Sequence, residues 1–336
     1  MQAEIHVAWL TVNRACQFKC NWCYAQEYKK NNVMDIDIAK NVVDMLAKKG
    51  IKKIILIGGE PLLFDGIFDI IKYIHTKEIK TSLATNGYDF SNIKKCQSAK
   101  NSGLNNVNIS LKGLSEEEYI EHVGISGLQK AINAYTNLKK VGINPSLSYV
   151  IVDDNLDNII RLIKLAKLNE LDHFSFQFVK PIVKKNAPDI MNMNTMGMYI
   201  CDLYDMLKIS GLDFSIEISF PLCLIPANRR TELLESGHVY SGCHIRRGRG
   251  IVFDTDFSVI PCNHFVNMPY SDSVNKKIVD TFIDDLWNSE SVMNFKKQIS
   301  NYPGKKCINC SMWDKCGGGC FTRWFKSSPE EYCKGI

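Results

Sequence analysis

The sequence predicts an α/β protein with a partial, TIM-like (β/α)6 barrel, followed by a small cysteine-rich domain containing a β-hairpin and short helices. Between residue 3 and about residue 210, short apolar runs alternate with segments of helical periodicity, which is typical of repeated βα units around a parallel sheet. After about residue 215, helical periodicity fades and cysteine, glycine and turn residues become frequent. We therefore expect one domain over residues 1–215 and a second over residues 216–336.

Six strand-like runs and four helical segments define the first domain. The predicted strands are residues 6–12, 53–57, 81–84, 107–111, 146–152 and 173–178. The predicted helices are residues 38–48, 67–75, 128–140 and 156–168, with Asn155 or Asp154 as the cap of the last one, and a later helix is expected at 283–299. Six strands are fewer than the eight of a closed barrel, and reactive groups are expected where the strands end.

Composition excludes several classes of protein. The longest apolar runs are much shorter than a membrane span, and the N-terminus lacks a secretory signal. A net charge of +5 with scattered basic residues does not form a nucleic-acid face. The 13 cysteines are an odd number and gather at two poles of the chain, which favours metal ligation in a reducing cytoplasm. We expect a cytoplasmic protein with no membrane and no nucleic-acid partner.

The first group of cysteines follows the first strand and consists of Cys16, Cys20 and Cys23. Three thiolates leave one iron of a 4Fe–4S cluster without a protein ligand, so this iron can bind a small molecule. With Trp22 at the aromatic position, the run resembles the CxxxCxφC signature of the radical S-adenosylmethionine (SAM) superfamily. The resemblance implies that the open iron binds SAM and that Trp22 packs near adenine. Tyr24 is either part of that site or a loop-packing residue.

A second motif follows the second strand and consists of Gly58, Gly59, Glu60 and Pro61. Glycines let backbone approach a ligand closely, and a carboxylate accepts hydrogen bonds from an ammonium group. The motif resembles the one that holds the methionine amino group of SAM in this superfamily. By the same resemblance, Asn86 and Ser110 contact the carboxylate or the ribose of SAM. Many relatives carry Asp where this chain has Lys112.

The second group of cysteines resembles the SPASM domain, which holds two auxiliary 4Fe–4S clusters. The resemblance implies that one cluster is bound by four cysteines and the other by three. The outer cluster would take Cys307, Cys310, Cys316 and Cys333, and the inner cluster would take Cys243, Cys262 and Cys320. Phe257 replaces a glycine of the pattern in the hairpin turn. Thiolate tetrads also suit zinc, which stays open as an alternative.

Two further residues are candidates for chemistry. Cys223 is either the fourth ligand of the inner cluster or a hydrogen donor for an epimerase. If Cys223 is not a ligand, the inner cluster keeps an open iron that is able to bind a substrate thiolate, since iron accepts soft sulfur ligands. His264 is a candidate base next to Cys262, and a structural role near that ligand is equally consistent with the sequence.

The resemblance implies a radical SAM enzyme that cleaves SAM reductively to a 5′-deoxyadenosyl radical. This radical would abstract hydrogen from a peptide and leave a thioether or carbon–carbon cross-link, as in the maturation of ribosomal peptides. Only 15 residues precede Cys16, so we expect any leader to be bound by a separate protein or by the barrel itself. The electron donor would be a flavodoxin or a ferredoxin. The alternatives are a dehydrogenase or epimerase of a sugar or aminoglycoside, a peptide epimerase, and a non-catalytic iron–sulfur carrier.

Overall fold

The computed structural model describes residues 5–25, 32–181, 192–244, 247–266, 268–270, 282–300 and 305–324. These residues fall into two compact units, the first formed by residues 1–147 and 247–294 and the second by residues 148–246 and 295–336. Both units are built from β-strands and α-helices, so the predicted α/β class is confirmed. The division into domains at residue 215 stays a prediction.

Ten strands are described. They are β1 Val7–Thr11, β2 Lys53–Ile57, β3 Lys80–Thr85, β4 Asn106–Leu111, β5 Asn144–Ile151, β6 His173–Phe178, β7 Asp213–Ile218, β8 Val239–Ser241, β9 Gly250–Phe253 and β10 Val259–Ile260. Within the first unit the strand order is β10-β9-β1-β2-β3-β4, parallel throughout except for the β9–β10 hairpin. Within the second unit β6, β7 and β8 are parallel neighbours.

Twelve helices are described. They are α1 Ile36–Lys48, α2 Ile67–Thr76, α3 Ile93–Asn101, α4 Glu116–Val123, α5 Leu128–Lys140, α6 Leu156–Leu168, α7 Met193–Ser210, α8 Ala227–Glu235, α9 Phe282–Trp287, α10 Glu290–Ser300, α11 Lys305–Ile308 and α12 Trp313–Cys316. The Asn155 side chain accepts a hydrogen bond from the Asp157 amide, which confirms the predicted cap of α6. None of the helices in the described ranges combines the length and apolarity needed to cross a membrane.

In the first unit, β1 to β4 each have one buried face and one more exposed face, because successive side chains point to opposite sides of a strand, whereas β9 and β10 are buried on both faces. Leu10, Leu56, Leu83 and Val107 lie on the buried face, where α2 and α5 pack against β3 and β4. Ser110 lies on the other face of β4, where alternate side chains are half-buried. A polar ligand is therefore expected on this half-buried face.

The second unit has an aromatic core. The side chains of Phe174, Phe176 and Phe178 alternate along β6 and are buried. Phe178 meets Phe220 edge to face, with ring centroids 5.2 Å apart. This contact packs the segment that follows β7 against β6.

The structure corrects the prediction of a single helix over residues 283–299, which is two helices, α9 and α10. The break lies at Asn288 and Ser289. The Asn288 side chain donates to the Asp284 carbonyl at 2.8 Å, and the Ser289 hydroxyl donates to the Leu286 carbonyl at 2.7 Å. Such side-chain bonds to backbone compete with helical bonds and end a helix locally.

Candidate active site

The first three cysteines lie in one loop that begins where β1 ends. The Cys23 amide donates to the Cys20 carbonyl at 3.1 Å, which makes a tight turn between two of the thiols. Cys20 is buried, whereas Cys16 and Cys23 are half-buried. None of the twelve cysteines in the described ranges is in a disulfide. The loop therefore offers three thiols at the carboxyl edge of the sheet, as predicted for a strand–loop site.

The loop is fastened to the glycine motif by backbone hydrogen bonds. The Gly59 amide donates to the Asn13 carbonyl at 3.0 Å, and the Glu60 amide donates to the Ala15 carbonyl at 2.7 Å. A Cβ on Gly59 would overlap the Ala15 carbonyl, so only glycine permits this approach. The motif thus holds the residue directly before Cys16.

Glu60 joins the ends of β2 and β3. Its buried carboxylate accepts hydrogen bonds from the Thr85 hydroxyl at 2.6 Å, the Asn86 amide at 2.7 Å and the Leu62 amide at 3.1 Å. Burial raises the pKa of Glu60 to about 7, although these three bonds favour the ionised form. A cation bound beside this carboxylate would stabilise its charge.

Asn86 approaches the cysteine loop from the end of β3. Its side-chain amide group points at the Cys16 sulfur from 4.0 Å, and the Gln17 side chain donates to its oxygen at 3.4 Å. The structure therefore brings together Cys16, Glu60 and Asn86, which the sequence predicted from separate motifs. Ser110 lies one residue before the end of β4 on the half-buried face.

Trp22 lies between two of the thiols and has an unsatisfied polar atom. Its ring meets the His122 ring edge to face at 5.2 Å. The indole Nε1 is buried, and no described residue accepts its hydrogen bond. An orphaned donor of this kind indicates a place for a ligand with acceptor atoms. The sequence did not reveal His122, which lies on α4, about a hundred residues further along the chain.

Tyr24 packs against His264, with ring centroids 5.0 Å apart. Burial raises the pKa of Tyr24 to about 12, so the phenol stays protonated at neutral pH. His264 lies in a short helical turn just after Cys262. The structure therefore places the candidate base against an aromatic ring, and its role as a base stays a prediction.

A buried ion pair that the sequence did not reveal closes the cysteine loop. The Arg14 guanidinium donates to the Asp254 carboxylate at 2.5 Å, and both side chains are almost fully buried. Asp254 directly follows β9, which pairs with β1, and Arg14 lies two residues before Cys16. The β9–β10 hairpin is thereby tied to the loop that carries the thiols.

The later cysteines of the second unit are held by backbone amides. The Leu222 amide donates to the Cys316 sulfur at 3.2 Å, and the Met312 amide donates to the Cys310 sulfur at 3.4 Å. The Cys320 amide donates to the Ser219 carbonyl at 2.8 Å. Amide bonds to sulfur are typical of thiolates that ligate iron–sulfur clusters, whose potentials they tune.

Three glycines between Cys316 and Cys320 take the left-handed conformation, with φ values of 56°, 71° and 78°.

Cys223 follows Leu222 and is half-buried. Cys243 lies in the second unit and Cys262 in the first, and their assignment to one inner cluster stays a prediction. Cys333 lies outside the described residues, so the complete outer cluster also stays a prediction.

The first group of cysteines lies beside polar groups that suit a bound SAM. Within the ranges that the structure describes, no three Cys, His, Asp or Glu side chains converge to hold one metal ion. At the first pole, the orphaned Trp22 donor and the buried Glu60 carboxylate add the polar groups that a bound SAM would meet.

Comparisons with known proteins define the class. Residues 10–166 match the family model of the radical SAM superfamily. A probable GTP 3′,8-cyclase of Methanocaldococcus jannaschii is 30% identical over 238 residues, which cover 63% of this chain and 78% of that protein. The chain therefore belongs to the radical SAM superfamily. Membership implies a 4Fe–4S cluster and SAM as cofactors.

Other relatives match over different lengths. A GTP 3′,8-cyclase of Helicobacter pylori (strain J99) is 24% identical over 332 residues, which cover 94% of each chain. The GTP 3′,8-cyclase of Clostridium perfringens (strain SM101) is 33% identical, and the match spans 54% of that protein. The chain thus spans only about half the length of some relatives that it matches.

Two solved structures share the fold. Streptococcus suis SuiB bound to SAM superposes with a TM-score of 0.76 at 18% identity, covering 99% of this chain and 78% of that one. Native anSMEcpe with bound AdoMet and the Kp18Cys peptide gives a TM-score of 0.72 at 18% identity, covering 96% and 91%. The predicted partial barrel with an added cysteine-bearing region is therefore confirmed as the fold.

Proposed function

We propose that this radical SAM enzyme abstracts hydrogen from a peptide and leaves an oxidative modification such as a thioether or carbon–carbon cross-link. Cys16, Cys20 and Cys23 would hold the cluster that binds SAM. When bound and reduced, the 4Fe–4S cluster would supply the electron that splits SAM into methionine and the 5′-deoxyadenosyl radical. The protein's task is to hold the reacting carbon near that radical and to exclude water.

Each residue around the cysteine loop would bind a different part of SAM. The buried Glu60 carboxylate would accept hydrogen bonds from the ammonium group, because opposite charge offsets the cost of its burial. Asn86 and Ser110 would contact the methionine carboxylate or the ribose. The Trp22 ring would pack near adenine.

The observation that carries the peptide proposal is the ordered cysteine segment of the second unit. Its thiols are spaced as in the SPASM pattern, and backbone amides already donate to the sulfurs of Cys310 and Cys316. Relatives with this pattern mostly modify peptides or proteins. Auxiliary clusters would accept the electron that remains on the substrate after hydrogen abstraction, which favours an oxidative outcome.

The solved structures are consistent with a peptide partner. SuiB has been solved bound to its precursor peptide SuiA, and anSMEcpe with two peptides. We propose the same class of partner for this chain, together with a flavodoxin or ferredoxin as electron donor. Recognition of a leader by a separate protein belongs to the same proposal.

A second candidate function is cyclisation of a nucleotide, because the curated relatives are named GTP 3′,8-cyclases. A triphosphate needs several cations at the carboxyl ends of the strands. Arg14, which follows β1, is already paired with Asp254, and Lys180, which follows β6, is paired with Glu217 at 2.8 Å. Each of these two cations is therefore already paired with a carboxylate of its own unit.

The deciding experiment is anaerobic reconstitution followed by iron counting and mass spectrometry under dithionite. Three clusters require about twelve iron atoms per chain. We expect 5′-deoxyadenosine from SAM, and loss of two hydrogen atoms per modification from a precursor peptide encoded next to the gene. Deuterium placed in the peptide should appear in 5′-deoxyadenosine. The Cys16→Ser variant is the matched control and should form none.

GTP is tested in parallel under the same conditions. Cyclised GTP with no change in the peptide would replace the peptide proposal by the nucleotide one. Full iron loading without 5′-deoxyadenosine, whether peptide or GTP is present, would contradict both.

A further inference from the structure

Two lysines lie directly opposite each other where β2 and β3 begin. Lys53 is the first residue of β2 and Lys80 the first of β3, and the two are partners in the parallel register. Their side chains are therefore on the same face of the sheet, on strands about 4.8 Å apart. Like charges directly opposite each other destabilise a sheet, so the pair costs folding free energy unless an anion offsets it.

The pair has no acidic partner in the part of the chain that the structure describes. No ion pair there includes Lys53 or Lys80. Lys53 is half-buried, and its burial and the neighbouring Lys80 charge lower its pKa. A bound anion would relieve both effects, because it would solvate the ammonium groups and neutralise their repulsion.

The ends of the neighbouring helices do not account for this pair. A helix C-terminus carries partial negative charge, and the last turns of α1 and α2 already contain Lys48 and His75. α2 packs against β3 on the buried face, which carries Leu83. Lys80 belongs to the other face, because side chains alternate along a strand. The two lysines therefore lie on the side of the sheet away from α2.

The next residues on this face add neutral polar groups. Ser82 lies on the same face as Lys80, and its hydroxyl is buried without a hydrogen-bond partner among the described residues. Asn106 is the register partner of Ser82 on β4 and is half-buried. An unsatisfied buried hydroxyl indicates a missing ligand or water. Two ammonium groups, a hydroxyl and an amide can all donate to an oxyanion.

The charge of the pair selects the class of anion. Two ammonium groups carry two positive charges, and neither group can accept a hydrogen bond. A carboxylate has a single negative charge and would leave half of this charge uncompensated. A phosphate group has close to two negative charges at neutral pH and several acceptor oxygens, so it can contact both ammonium groups.

We propose that Lys53 and Lys80 bind a phosphate group at the start of β2 and β3, with Ser82 and Asn106 as neutral donors beside it. β2 has five residues, so Lys53 lies about 13 Å along the strand from Ile57, the last residue before the glycine motif. The phosphate site is thus separate from the cysteine loop. It needs neither SAM nor iron and is independent of the function proposed above.

Titration calorimetry of the reconstituted full chain with inorganic phosphate, in a buffer free of phosphate and sulfate, tests the proposal. The variants are Lys53→Met, Lys80→Met and Ser82→Ala. Lys52→Met is the matched control, because Lys52 is exposed at the same strand end but its side chain starts from the opposite face. Acetate serves as the singly charged ligand and ribose 5-phosphate as the phosphate ester.

We expect a single phosphate to bind the wild type, and acetate to bind more weakly. Lys53→Met and Lys80→Met should each weaken phosphate binding about tenfold, which corresponds to about 1.4 kcal/mol. Ser82→Ala should weaken it less, and Lys52→Met should keep the wild-type affinity. Ribose 5-phosphate that binds as tightly as phosphate would support an ester as the natural ligand, and selective binding of inorganic phosphate would support the free ion.

Three results would overturn the proposal. The first is a wild type that does not bind phosphate. The second is an equal loss of affinity in Lys52→Met and Lys53→Met, which would indicate a diffuse basic surface. The third is tighter binding of acetate than of phosphate, which would assign the lysines to a carboxylate.

Unfolding by denaturant gives a second readout. Without phosphate, Lys80→Met should be more stable than the wild type, because the variant removes the like charge opposite Lys53. Phosphate should raise the free energy of unfolding of the wild type more than that of Lys80→Met, because a ligand stabilises the folded state that binds it. Equal stabilisation of the two proteins by phosphate would contradict a site at these lysines.

Discussion

At the scale of single residues, Glu60 is the group whose chemistry is most sensitive to its surroundings. Its carboxylate is buried and accepts three hydrogen bonds, yet burial still raises its pKa to about 7. A proton and the ammonium of SAM would therefore compete for the same oxygens near neutral pH.

SAM binding should weaken as the pH falls through about 7, because the folded carboxyl then takes up a proton that binding must expel. The α-amino group of SAM is mostly charged below about pH 7, so measurements between about pH 5.5 and 7 report mainly on the carboxyl. We expect the Kd for SAM to rise toward tenfold per pH unit at the acidic end. Equilibrium dialysis checks this.

The Glu60→Gln variant is the control for the pH experiment. It lacks the titrating group, so it should bind SAM weakly and with the same affinity across the range. A wild-type affinity that does not change with pH would contradict the proposed role of Glu60.

Gly59 is the residue at which the smallest change should have the largest effect on the cluster. A methyl group there would overlap the Ala15 carbonyl, and Ala15 precedes Cys16. We expect the Gly59→Ala variant to lose most of the iron bound by Cys16, Cys20 and Cys23. The loss is measured as iron per chain and as SAM binding. Gly124→Ala meets no atom within 4 Å, so it should cost about 1 kcal/mol from its positive φ and keep the iron.

At the scale of elements, the β9–β10 hairpin turns at Phe257, where the pattern that the sequence resembles has a glycine. Phe257 takes a φ of 63°, in the left-handed region that glycine adopts without strain. This conformation costs a residue with a Cβ about 1–2 kcal/mol. Phe257 is nevertheless buried, so packing of its ring offsets the strain.

Restoring the glycine should therefore destabilise the protein. Phe257→Gly relieves about 1–2 kcal/mol of strain but loses about 3–5 kcal/mol of packing, a net loss of about 1–4 kcal/mol. Denaturant unfolding measures it. Gly50→Ala, at a φ of 73° with no atom within 4 Å, isolates the strain and should cost about 1 kcal/mol. A Phe257→Gly variant more stable than the wild type would show that packing does not offset the strain.

The Arg14–Asp254 pair couples the hairpin to the cysteine loop. Removing one partner leaves a buried charge without its counter-ion, so Asp254→Asn should cost about 3–5 kcal/mol of unfolding free energy. The double variant Arg14→Met/Asp254→Leu should recover most of this loss, because neither buried charge remains. Unfolding of Arg14→Met, Asp254→Leu and their double variant, run as a double-mutant cycle, gives the coupling. Additive costs would show that the two residues act independently.

The sequence predicted those parts of the site whose residues lie close together along the chain, and it missed pairs of residues that lie far apart. Cys16, Cys20 and Cys23 lie in one run, and the glycine motif follows one strand, so their residue types and spacing identified them. Asp254 is 240 residues from Arg14, and no local pattern links an arginine to an aspartate so far away. His122 was missed for the same reason.

The helices and strands show a second limit to prediction from the sequence. Residues 53–57, 128–140, 156–168 and 173–178 form the elements that periodicity predicted, with the same bounds. β9 and β10 are four and two residues long, too short for a periodic pattern to be recognised. β7 alternates apolar and polar residues, but it crosses residue 215, where the prediction ended the barrel repeats.

At the scale of the whole molecule, the cysteines divide by their surroundings into ligand candidates and packing residues. Cys96 is buried on α3, its thiol donates to the Phe90 carbonyl at 3.2 Å, and burial raises its pKa to about 11. Such a thiol is a poor ligand, because the thiolate is the ligating form. Cys316, in contrast, accepts a backbone amide bond at its sulfur.

The cluster at Cys16 and the cluster at Cys316 should therefore be lost independently of each other. We expect Cys16→Ser and Cys316→Ser each to keep about eight of about twelve iron atoms, since each variant removes one four-iron cluster. Cys16→Ser should form no 5′-deoxyadenosine, whereas Cys316→Ser should still form it without modifying the peptide. Cys96→Ser, which keeps a donor to Phe90, should retain all the iron. Full iron loading of Cys316→Ser would contradict the outer cluster, because a cluster held at Cys316 cannot lose that ligand without loss of iron.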